Sequence, residues 1–286
     1  MGKGKQTGQN TQMSYFPDNR LQFIGKIANV PFKSIMHNVQ QVSGSMKLAV
    51  ISDIHGNAAA FREVLKDAEK AGISNIYCLG DSIGYGPEPD EAIRMVRERS
   101  ILSIQGNHEL AVNQPGYLDW FNPIARISLE KTITMLSGQS LDYIAALPFF
   151  LTGNNCRFVH GFPPDSPTTY LFEADPEQVD AAMTKAEEPI CFVGHTHELM
   201  IVSHDGREVS RRPLKRETIM LDTGCRYIIN VGSVGQPRDG TNHAKYVIFD
   251  DQALELEVRF VEYNVTETID KIYAAGLPEQ HAWRLF

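Results

Sequence analysis

Two side chains that can bind divalent metal ions follow the first apolar segment of the chain. Residues 48–51 form a short run containing β-branched residues, which is typical of a central strand covered on both faces. Asp53 and His55 come directly after it, and in an extended backbone their two-residue spacing places both side chains on one side. Gly56 permits a sharp turn, and Asn57 suits the N-cap of a following helix. Because an Asp-x-His triplet alone is a weak signal, its meaning depends on partners elsewhere.

Further potential ligands follow the later predicted strands, each beside a glycine or within a closely spaced pair. Carboxylate oxygen and neutral imidazole nitrogen suit divalent transition metals, and a pair of ions also needs a carboxylate that bridges them. In an extended segment His195 and His197 would project together, as Asp53 and His55 would. The set that predicts a binuclear metal site is Asp53, His55, Asp81, Asn107, His160, His195 and His197.

Each of these residues also has an ordinary structural explanation. A lone His160 on an apolar strand is commonly a hydrogen-bonded core histidine, Asp81 after glycine is commonly a turn residue, and Asn107 is commonly a capping residue. However, five of the nine histidines follow predicted strands. Packing alone does not explain this coincidence, and we interpret the set as one site. The histidines without such a setting are interpreted as ordinary, namely His37, His204, His243 and His281.

The elements that must position these residues alternate from Met46 onward. Apolar residues at helical spacing run from Phe61 to Ala71, and Gly72 ends that helix. A strand over 73–79, a helix over 89–99 and a strand over 101–105 follow. This βαβαβ order predicts a parallel sheet, and functional groups collect at the carboxyl ends of such strands.

The remaining chain contributes a second set of strands. Strands are predicted at 156–160 and 190–194 with a helix between them, followed by hairpins at Asp205-Gly206 and Asp250-Asp251 and a last helix over 265–275. We therefore expect an α/β fold with two mixed sheets packed face to face and flanked by helices. Helices from about 123 to 136 and after Ser140 interrupt this pattern. The insertion 110–150 forms either a helical cap over the site or a plain surface pair of helices.

The composition and charge of the chain argue against several other classes of protein. The chain has 286 residues, 42% of them hydrophobic, and a formal net charge of -8. The acidic balance argues against a nucleic-acid-binding module, and no apolar run approaches the roughly 20 residues that span a bilayer. Four widely separated cysteines make a reducing, cytoplasmic location the simplest interpretation. Residues 1–45, rich in polar residues and glycine, are predicted to be a poorly ordered extension of a domain that comprises 46–286.

In chain order, Asp-x-His-Gly-Asn, Gly-Asp, Gly-Asn-His-Glu, His-Gly and Gly-His-Thr-His resemble the complete signature of the calcineurin-like metallophosphoesterases. Tyr85-Gly86-Pro87 and the segment 230–238, Asn-Val-Gly-Ser-Val-Gly-Gln-Pro-Arg, are similar to the compact bacterial and archaeal phosphodiesterase branch. The resemblance extends from Met46 to the C-terminus. It implies a four-layer α/β/β/α sandwich of the metallo-dependent phosphatase type.

The resemblance also implies a role for each site residue. Two divalent ions, commonly Mn, Fe or Zn in this family and expected to be Mn in vitro, would generate a bridging hydroxide that attacks phosphorus. His108 would stabilise the developing charge and protonate the leaving oxygen, and its alternative role is structural. Asp53, His55 and His197 would bind the first ion, Asn107, His160 and His195 the second, and Asp81 would bridge both.

The chain departs from the phosphoprotein phosphatases at one motif. Their pattern resembles Gly-Asp-x-Val-Asp-Arg-Gly, but this chain has Gly84 and Tyr85 where that pattern has Asp and Arg. The carboxylate that orients the catalytic histidine and a phosphate-binding arginine are therefore missing. Glu109 is adjacent to His108, but adjacency does not establish that it replaces the carboxylate. Arg238 ends a glycine-rich loop, where binding a substrate phosphate and forming a surface turn are equally plausible roles.

We therefore expect a metal-dependent phosphoesterase that hydrolyses phosphodiesters or phosphoanhydrides, such as nucleotides and dinucleoside polyphosphates. A broad-specificity phosphomonoesterase or protein phosphatase is the alternative within the enzyme class. A non-catalytic, retromer-type scaffold is a remote alternative, because such members are expected to lose ligands and none is lost here. The expected partner is a small phosphorylated, nucleotide-like substrate, with neither a membrane nor a nucleic acid.

Overall fold

The structure is a computed structural model that describes residues 47–286. The predicted extension 1–45 lies outside the described residues. Twelve strands in this part of the chain form two six-stranded sheets, which are mixed as expected. Among residues 47–286, no helix combines the length and apolar character that crossing a membrane requires.

The first sheet contains the strand that precedes Asp53 and His55. Its strands, in spatial order, are β3 (Leu102–Ser103), β2 (Asn75–Cys78), β1 (Lys47–Ile51), β11 (Ala244–Asp250), β12 (Glu255–Val261) and β9 (Thr218–Met220). The neighbours β1, β2 and β3 are parallel, which confirms the predicted βαβαβ unit, and β11 and β12 form the predicted second hairpin.

The second sheet contains the strands that precede the later histidines. Its strands, in spatial order, are β4 (Phe150–Gly153), β5 (Cys156–Val159), β6 (Ile190–Val193), β10 (Arg226–Val231), β7 (Leu199–His204) and β8 (Val209–Pro213). Of these, β5, β6 and β10 are parallel, and β7 and β8 form the hairpin predicted at Asp205-Gly206.

Helices connect and cover the sheets. The structure has α1 (Ala58–Lys70), α2 (Pro89–Glu98), α3 (Asn107–Asn113), a 3-10 helix (Pro115–Trp120), α4 (Pro123–Ile133), α5 (Gly138–Ala145), α6 (Pro176–Lys185), α7 (Val265–Ala274) and α8 (Glu279–Trp283). The side chain of Asn57 accepts the Ala60 N–H at 3.1 Å and caps α1 as predicted.

Alternating residues of β1 contact different layers, as strand geometry requires. Leu48 and Val50 belong to the apolar core between the sheets, whereas Ala49 and Ile51 pack in the core that contains α1 and α2. On the far side, α6 packs on the second sheet in a separate core. The order helix, sheet, sheet, helix confirms the predicted four-layer sandwich.

The inserted segment forms its own apolar cluster. Ala111 of α3, Leu129 of α4 and Ile144 of α5 pack together with Ile83 and with Ile93 of α2. These contacts hold the insertion against α2 and the loop that follows β2.

Several element boundaries differ from the sequence predictions. The strand expected over 101–105 has only two residues, because the Gln105 N–H leaves the sheet and donates to the Pro148 carbonyl at 2.8 Å. The Gly-Asn-His-Glu motif begins α3, where the Glu109 side chain reaches back and accepts the N-cap Gly106 N–H at 3.0 Å. Helix α5 begins at Gly138, because Ser137 accepts the Ser140 N–H.

The core between the sheets generates a stability prediction. Phe158 is fully buried and stacks on Tyr77 with ring centroids 3.9 Å apart. We expect Phe158→Ala to lower the free energy of unfolding by about 3–5 kcal/mol through lost burial and a residual cavity, measured by urea denaturation. Phe172→Ala is the matched control, because Phe172 is 65% exposed and its loss should change the value by less than about 0.5 kcal/mol. Equal effects of the two substitutions would contradict this assignment of the core.

Candidate metal centre

The seven predicted ligands come together where five strands end. Asp53 and His55 follow β1, Asp81 follows β2, Asn107 begins α3 after β3, His160 follows β5, and His195 and His197 follow β6. All are buried except Asn107, which is half-buried. Apart from Asn107, they belong to three-residue clusters that could hold metal ions, and the ligand atoms within each cluster lie within 4.8 Å of one another. Chain folding thus assembles one site from residues up to 144 positions apart in sequence.

The backbone at five of these residues is left-handed, with φ between 48° and 68° at Asp53, His55, Asp81, His195 and His197. The expectation that an extended backbone aligns the two closely spaced pairs is therefore wrong, because β1 ends at Ile51 and β6 ends at Val193. Left-handed non-glycine residues cost about 1 kcal/mol or more and persist where their surroundings hold them. Such residues cluster at functional sites, and these converge on one volume.

Hydrogen bonds between neighbouring loops hold this backbone in place. The His55 N–H donates to the Asp81 carbonyl at 2.9 Å, and the Gly235 N–H donates to the Asp53 carbonyl at 2.9 Å. A Cβ atom at Gly235 would overlap the Ile54 carbonyl, so glycine is needed for this close approach. The loop 230–238 therefore packs directly against the first ligand loop.

The first group contains Asp53, His55 and His197. His55 Nδ1 donates to the Ile83 carbonyl at 2.8 Å, and His197 Nδ1 donates to the Gln236 carbonyl at 2.6 Å. With these tautomers both Nε2 atoms carry lone pairs, yet they lie 3.0 Å apart. The buried Oδ1 of Asp53 has no hydrogen-bond partner and lies 3.4 Å from His197 Nε2. Lone pairs that face one another in this way are suited to a shared cation.

The second group repeats this arrangement around His160. His160 Nδ1 donates to the Leu79 carbonyl at 2.8 Å, and its Nε2 lies 3.1 Å from Asn107 Oδ1 and 3.2 Å from His195 Nδ1. His195 Nε2 donates to the Thr168 carbonyl at 3.2 Å, which leaves Nδ1 as the free nitrogen. This group thus presents two imidazole nitrogens and one amide oxygen to the same point.

Asp81 lies between the two groups. Its Oδ2 is 3.3 Å from His160 Nε2 in the second group and 3.8 Å from His55 Nε2 in the first. Its Oδ1 accepts the His108 N–H at 2.9 Å, which fixes the orientation of the carboxylate. Among the described residues, Asp81 is the carboxylate that clusters both with His55 and with His160 and His195. One of its oxygens is therefore close to a nitrogen of each group.

The electrostatics of the cluster suit cations. Burial opposes ionisation of Asp53, but the nearby His197 outweighs it and lowers the carboxyl pKa below its usual range. Burial lowers the pKa of His195 to about 3, so this imidazole is neutral. Burial also disfavours charge on His160, but the Asp81 carboxylate outweighs burial and raises the pKa to about 9, so that an ion binding at Nε2 would have to displace a proton. Ionised carboxylates among imidazoles in a buried site attract divalent ions.

His108 lies beside the cluster, and no carboxylate of the described residues accepts a hydrogen bond from its Nδ1. Its Nε2 is 3.8 Å from Asp81 Oδ2, and its buried Nδ1 makes no hydrogen bond. The ring is held by aromatic edges instead, with centroids 4.8 Å from Tyr85 and 4.9 Å from Phe121. Burial lowers the pKa of His108 to about 4. Packing therefore orients this imidazole where a protein phosphatase would use a carboxylate.

Gly84 and Tyr85 account for this difference. Gly84 has φ of +119°, and a Cβ atom there would overlap Nδ1 of His108, so a side chain at this position would displace the ring. Tyr85 packs on His55 with centroids 4.4 Å apart. The two departures from the protein-phosphatase motif are thus structurally linked, because the glycine makes room for the histidine that the tyrosine contacts.

Glu109 does not orient His108, although it points inward. Its carboxylate accepts N–H groups of Asp81 and Ser82, both at 2.8 Å, and of Gly106 at 3.0 Å. Burial and the Asp81 charge raise its pKa to about 7. Glu109 therefore joins the loops after β2 and β3, which carry Asp81 and Asn107.

A family model described as the calcineurin-like phosphoesterase superfamily domain matches residues 46–253, more than half of the chain. The chain belongs to this superfamily. It is a metallophosphoesterase, a hydrolase of phosphoric ester bonds, as its motifs predicted. This family binds divalent metals, and the clusters of the phosphoesterase described above could hold them.

Relatives of the phosphoesterase come from bacteria and archaea. An uncharacterized protein of Methanocaldococcus jannaschii, MJ0912, is 37% identical over 244 residues, which are 84% of this chain and 97% of that protein. A metallophosphoesterase from Sphaerobacter thermophilus is 36% identical, with a TM-score of 0.74 over 85% of this chain and 98% of that chain. Hypothetical protein PH1004 from Pyrococcus horikoshii OT3 shares the fold, with 20% identity and a TM-score of 0.70 over 84% and 98% of the two chains.

Several residues that contact the centre of the phosphoesterase were not singled out by sequence patterns. Tyr170 stacks on His195 with centroids 3.8 Å apart. His281, interpreted as ordinary from sequence, is buried and stacks on Tyr85 at 4.6 Å, and Gln236 hydrogen-bonds it at 3.3 Å. These residues lie in loops and in a short C-terminal helix without any motif. Among the segments that contain these residues, only the glycine-rich segment before Arg238 has a sequence pattern that points to the site.

The three amide contacts of Glu109 generate a testable prediction. We expect Glu109→Gln to lower the free energy of unfolding by about 1–3 kcal/mol, because one amide oxygen cannot replace two carboxylate oxygens and the NH₂ group would face an N–H donor. The measurement is urea denaturation monitored by circular dichroism. Glu187→Gln is the control on an exposed side chain and should change the value by less than about 0.5 kcal/mol. An unchanged stability of Glu109→Gln would show that the carboxylate does not hold the loops together.

Proposed function

We propose that the protein is a binuclear-metal phosphoesterase that prefers phosphodiesters or phosphoanhydrides. Manganese is the ion proposed for activity in vitro, since imidazole, carboxylate and amide oxygen all accept it. In this proposal Asp53, His55 and His197 hold one ion, Asn107, His160 and His195 hold the other, and Asp81 bridges them. Cys78, Cys156, Cys191 and Cys225 are all free thiols, which supports a cytoplasmic location.

The observation that carries the proposal is the position of Asp81 Oδ2. This oxygen lies 3.8 Å from a nitrogen of the first group and 3.3 Å from a nitrogen of the second. A single ion would need only one of the two groups. A carboxylate oxygen between two sets of inward-facing lone pairs is the arrangement that a two-ion clamp on a phosphoryl group requires.

The residues of the chain divide the reaction between them. When bound, two divalent ions polarise a phosphoryl oxygen and make a water acidic enough to supply hydroxide near neutral pH. His108, 3.8 Å from the bridging oxygen of Asp81, is placed to stabilise charge on the phosphoryl group and to protonate the leaving oxygen. Burial keeps its imidazole neutral in the free protein, and the negative charge of a bound phosphate favours its protonated form.

The surroundings of His108 support the preferred substrate class. Tyr85 replaces the arginine by which protein phosphatases bind a phosphate, and it packs on His55 and His108. A neutral side chain here suits the single charge of a phosphodiester better than the double charge of a phosphomonoester. The insertion 110–150 brings Phe121 against His108, which supports its role as a cap on one side of the site.

The substrate preference is tested with two chromogenic esters. We expect the protein with added Mn²⁺ to hydrolyse bis-p-nitrophenyl phosphate with a higher kcat/KM than p-nitrophenyl phosphate, and a chelator to abolish both activities. We expect His108→Ala to lower kcat for the diester by about 10²–10⁴-fold, because general acid catalysis contributes that much.

His204→Ala is the control for that assay, because His204 pairs with Asp180 at 2.8 Å on the second sheet. Its kcat should remain within about twofold of the parent protein. Faster hydrolysis of the monoester would replace the diesterase assignment with a phosphomonoesterase. Activity that persists without divalent metal would contradict the proposed chemistry altogether.

The bridging role of Asp81 is tested by metal analysis. We expect the purified protein, dialysed after Mn²⁺ addition, to retain two ions per chain, and Asp81→Asn to retain fewer with an affinity weaker by at least about tenfold. Asp142→Asn, an exposed substitution on α5, is the control and should retain both ions. Full occupancy in Asp81→Asn would refute bridging, and an empty parent protein would favour the scaffold alternative.

A further inference from the structure

Two arginines lie next to the segment that holds one ligand of the first group. The backbone N–H of Arg238 donates to the His197 carbonyl at 3.3 Å. The carbonyl of Gln236 accepts from His197 Nδ1 at 2.6 Å, and the Gln236 side-chain oxygen accepts from Nη1 of the exposed Arg284 at 3.4 Å. Arg238 thus adjoins His197 through its backbone, and Arg284 reaches the residue that orients His197 from a segment 46 residues away.

Arg238 is partly withdrawn from water without a protein partner. It is half-buried, and its Nε is buried without a hydrogen bond. Its neighbour Asp239 pairs with Lys245 at 2.7 Å and does not neutralise it. Among the arginines of the described part of the chain, only Arg238 combines partial burial with a guanidinium that makes no hydrogen bond or ion pair. Such a group is suited to receive the anionic oxygens of a ligand.

The charges of both arginines act on side chains that border the metal centre. Burial raises the pKa of Tyr85 to about 12, and Arg238 and Arg284 both oppose this rise. Arg238 also opposes the rise that burial causes in the pKa of Tyr170, whose ring stacks on His195. The two tyrosines contact different metal groups, His55 in one and His195 in the other. These effects agree with the hydrogen bonds above, which bring both arginines near the segment that holds His197.

We propose that Arg238 and Arg284 form an anion subsite beside His197 that binds a second phosphate of the substrate. The preferred substrates would then be phosphoanhydrides, such as nucleoside or dinucleoside polyphosphates, rather than esters with one phosphate. This inference rests on the proposed function, because the subsite is useful only if the neighbouring ions bind the scissile phosphoryl group.

The charge balance of the site favours binding of a second phosphate group over a further contact to the phosphoryl group that the ions bind. Two divalent ions held by Asp53 and Asp81 would retain about two positive charges, and the hydroxide nucleophile would leave about one, which already balances the single negative charge of a phosphodiester. Two further guanidinium groups would be redundant for such a substrate. They match a polyphosphate, whose adjacent phosphates carry additional negative charge and offer oxygens to planar, bidentate donors.

The test compares two non-reacting anions on the Mn²⁺-loaded protein by isothermal titration calorimetry. Orthophosphate reports the metal centre alone, whereas imidodiphosphate presents a second phosphate and resists hydrolysis. The variants are Arg238→Gln, Arg284→Gln and their combination, with Arg238→Lys to retain charge without the planar fork. Arg207→Gln is the control, because Arg207 is exposed at the tip of the β7–β8 hairpin.

We expect the parent protein to bind imidodiphosphate at least about tenfold more tightly than orthophosphate. The double variant should weaken imidodiphosphate binding by about 10- to 100-fold while orthophosphate binding changes less than about threefold, since two charge-assisted hydrogen-bonding groups are lost. No preference in the parent protein, an unchanged preference in the double variant, or equal weakening of both anions would each overturn the proposal. Thermal unfolding midpoints within a few degrees would verify that the variants are folded.

Turnover separates this inference from the proposed function. In the parent protein with Mn²⁺, kcat/KM for a dinucleoside tetraphosphate should fall about tenfold or more in the double variant, while kcat/KM for bis-p-nitrophenyl phosphate stays within about threefold. If the parent protein hydrolysed neither substrate, the proposed function would fail, and the anion-binding comparison would still decide whether the subsite exists.

Discussion

Four imidazole rings direct their second nitrogen into one small volume because each donates its other N–H to a backbone carbonyl. Removing any of these hydrogen bonds would free the ring to rotate and would leave its tautomer undetermined. The carbonyls belong to separate loops, so the ligand geometry depends on how the loops are placed relative to one another. The pairs are His55 with Ile83, His160 with Leu79, His195 with Thr168, and His197 with Gln236.

Loop placement in turn depends on the sheets and on strained backbone. The parallel neighbours of each sheet end at the same edge, and both sheets share the apolar core around Phe158 and Phe192. Left-handed residues then turn the chain directly after β1, β2 and β6. Because each such residue is intrinsically unfavourable, it requires surroundings that hold it, such as the Glu109 carboxylate beneath Asp81. The rigid layers therefore stabilise a site that its own backbone would not maintain.

The sequence was sufficient to predict the layers and that the seven proposed ligands lie together, and insufficient to predict how their side chains are oriented. Apolar periodicity locates β1 and α1, and histidines beside glycines locate the strand ends. The spacing argument failed for Asp53 and His55, because their backbone is left-handed and not extended. The contacts of Glu109 with Ser82, 27 residues away, carry no local signal. His281 was set aside because α8 has no motif, although tertiary packing places it against Tyr85.

Two residues next to the metal centre come from a segment that the family model does not match. The family model ends at residue 253, whereas α7 and α8 follow it. His281 and Arg284 from this terminal segment both contact Gln236, whose carbonyl accepts a hydrogen bond from the proposed ligand His197. The matched region contains all seven proposed ligands and His108. The second phosphate contact proposed for Arg284 would therefore depend on a segment that carries none of the ligands, so that a change in α8 could alter substrate choice while the strand ends that form the centre stay the same.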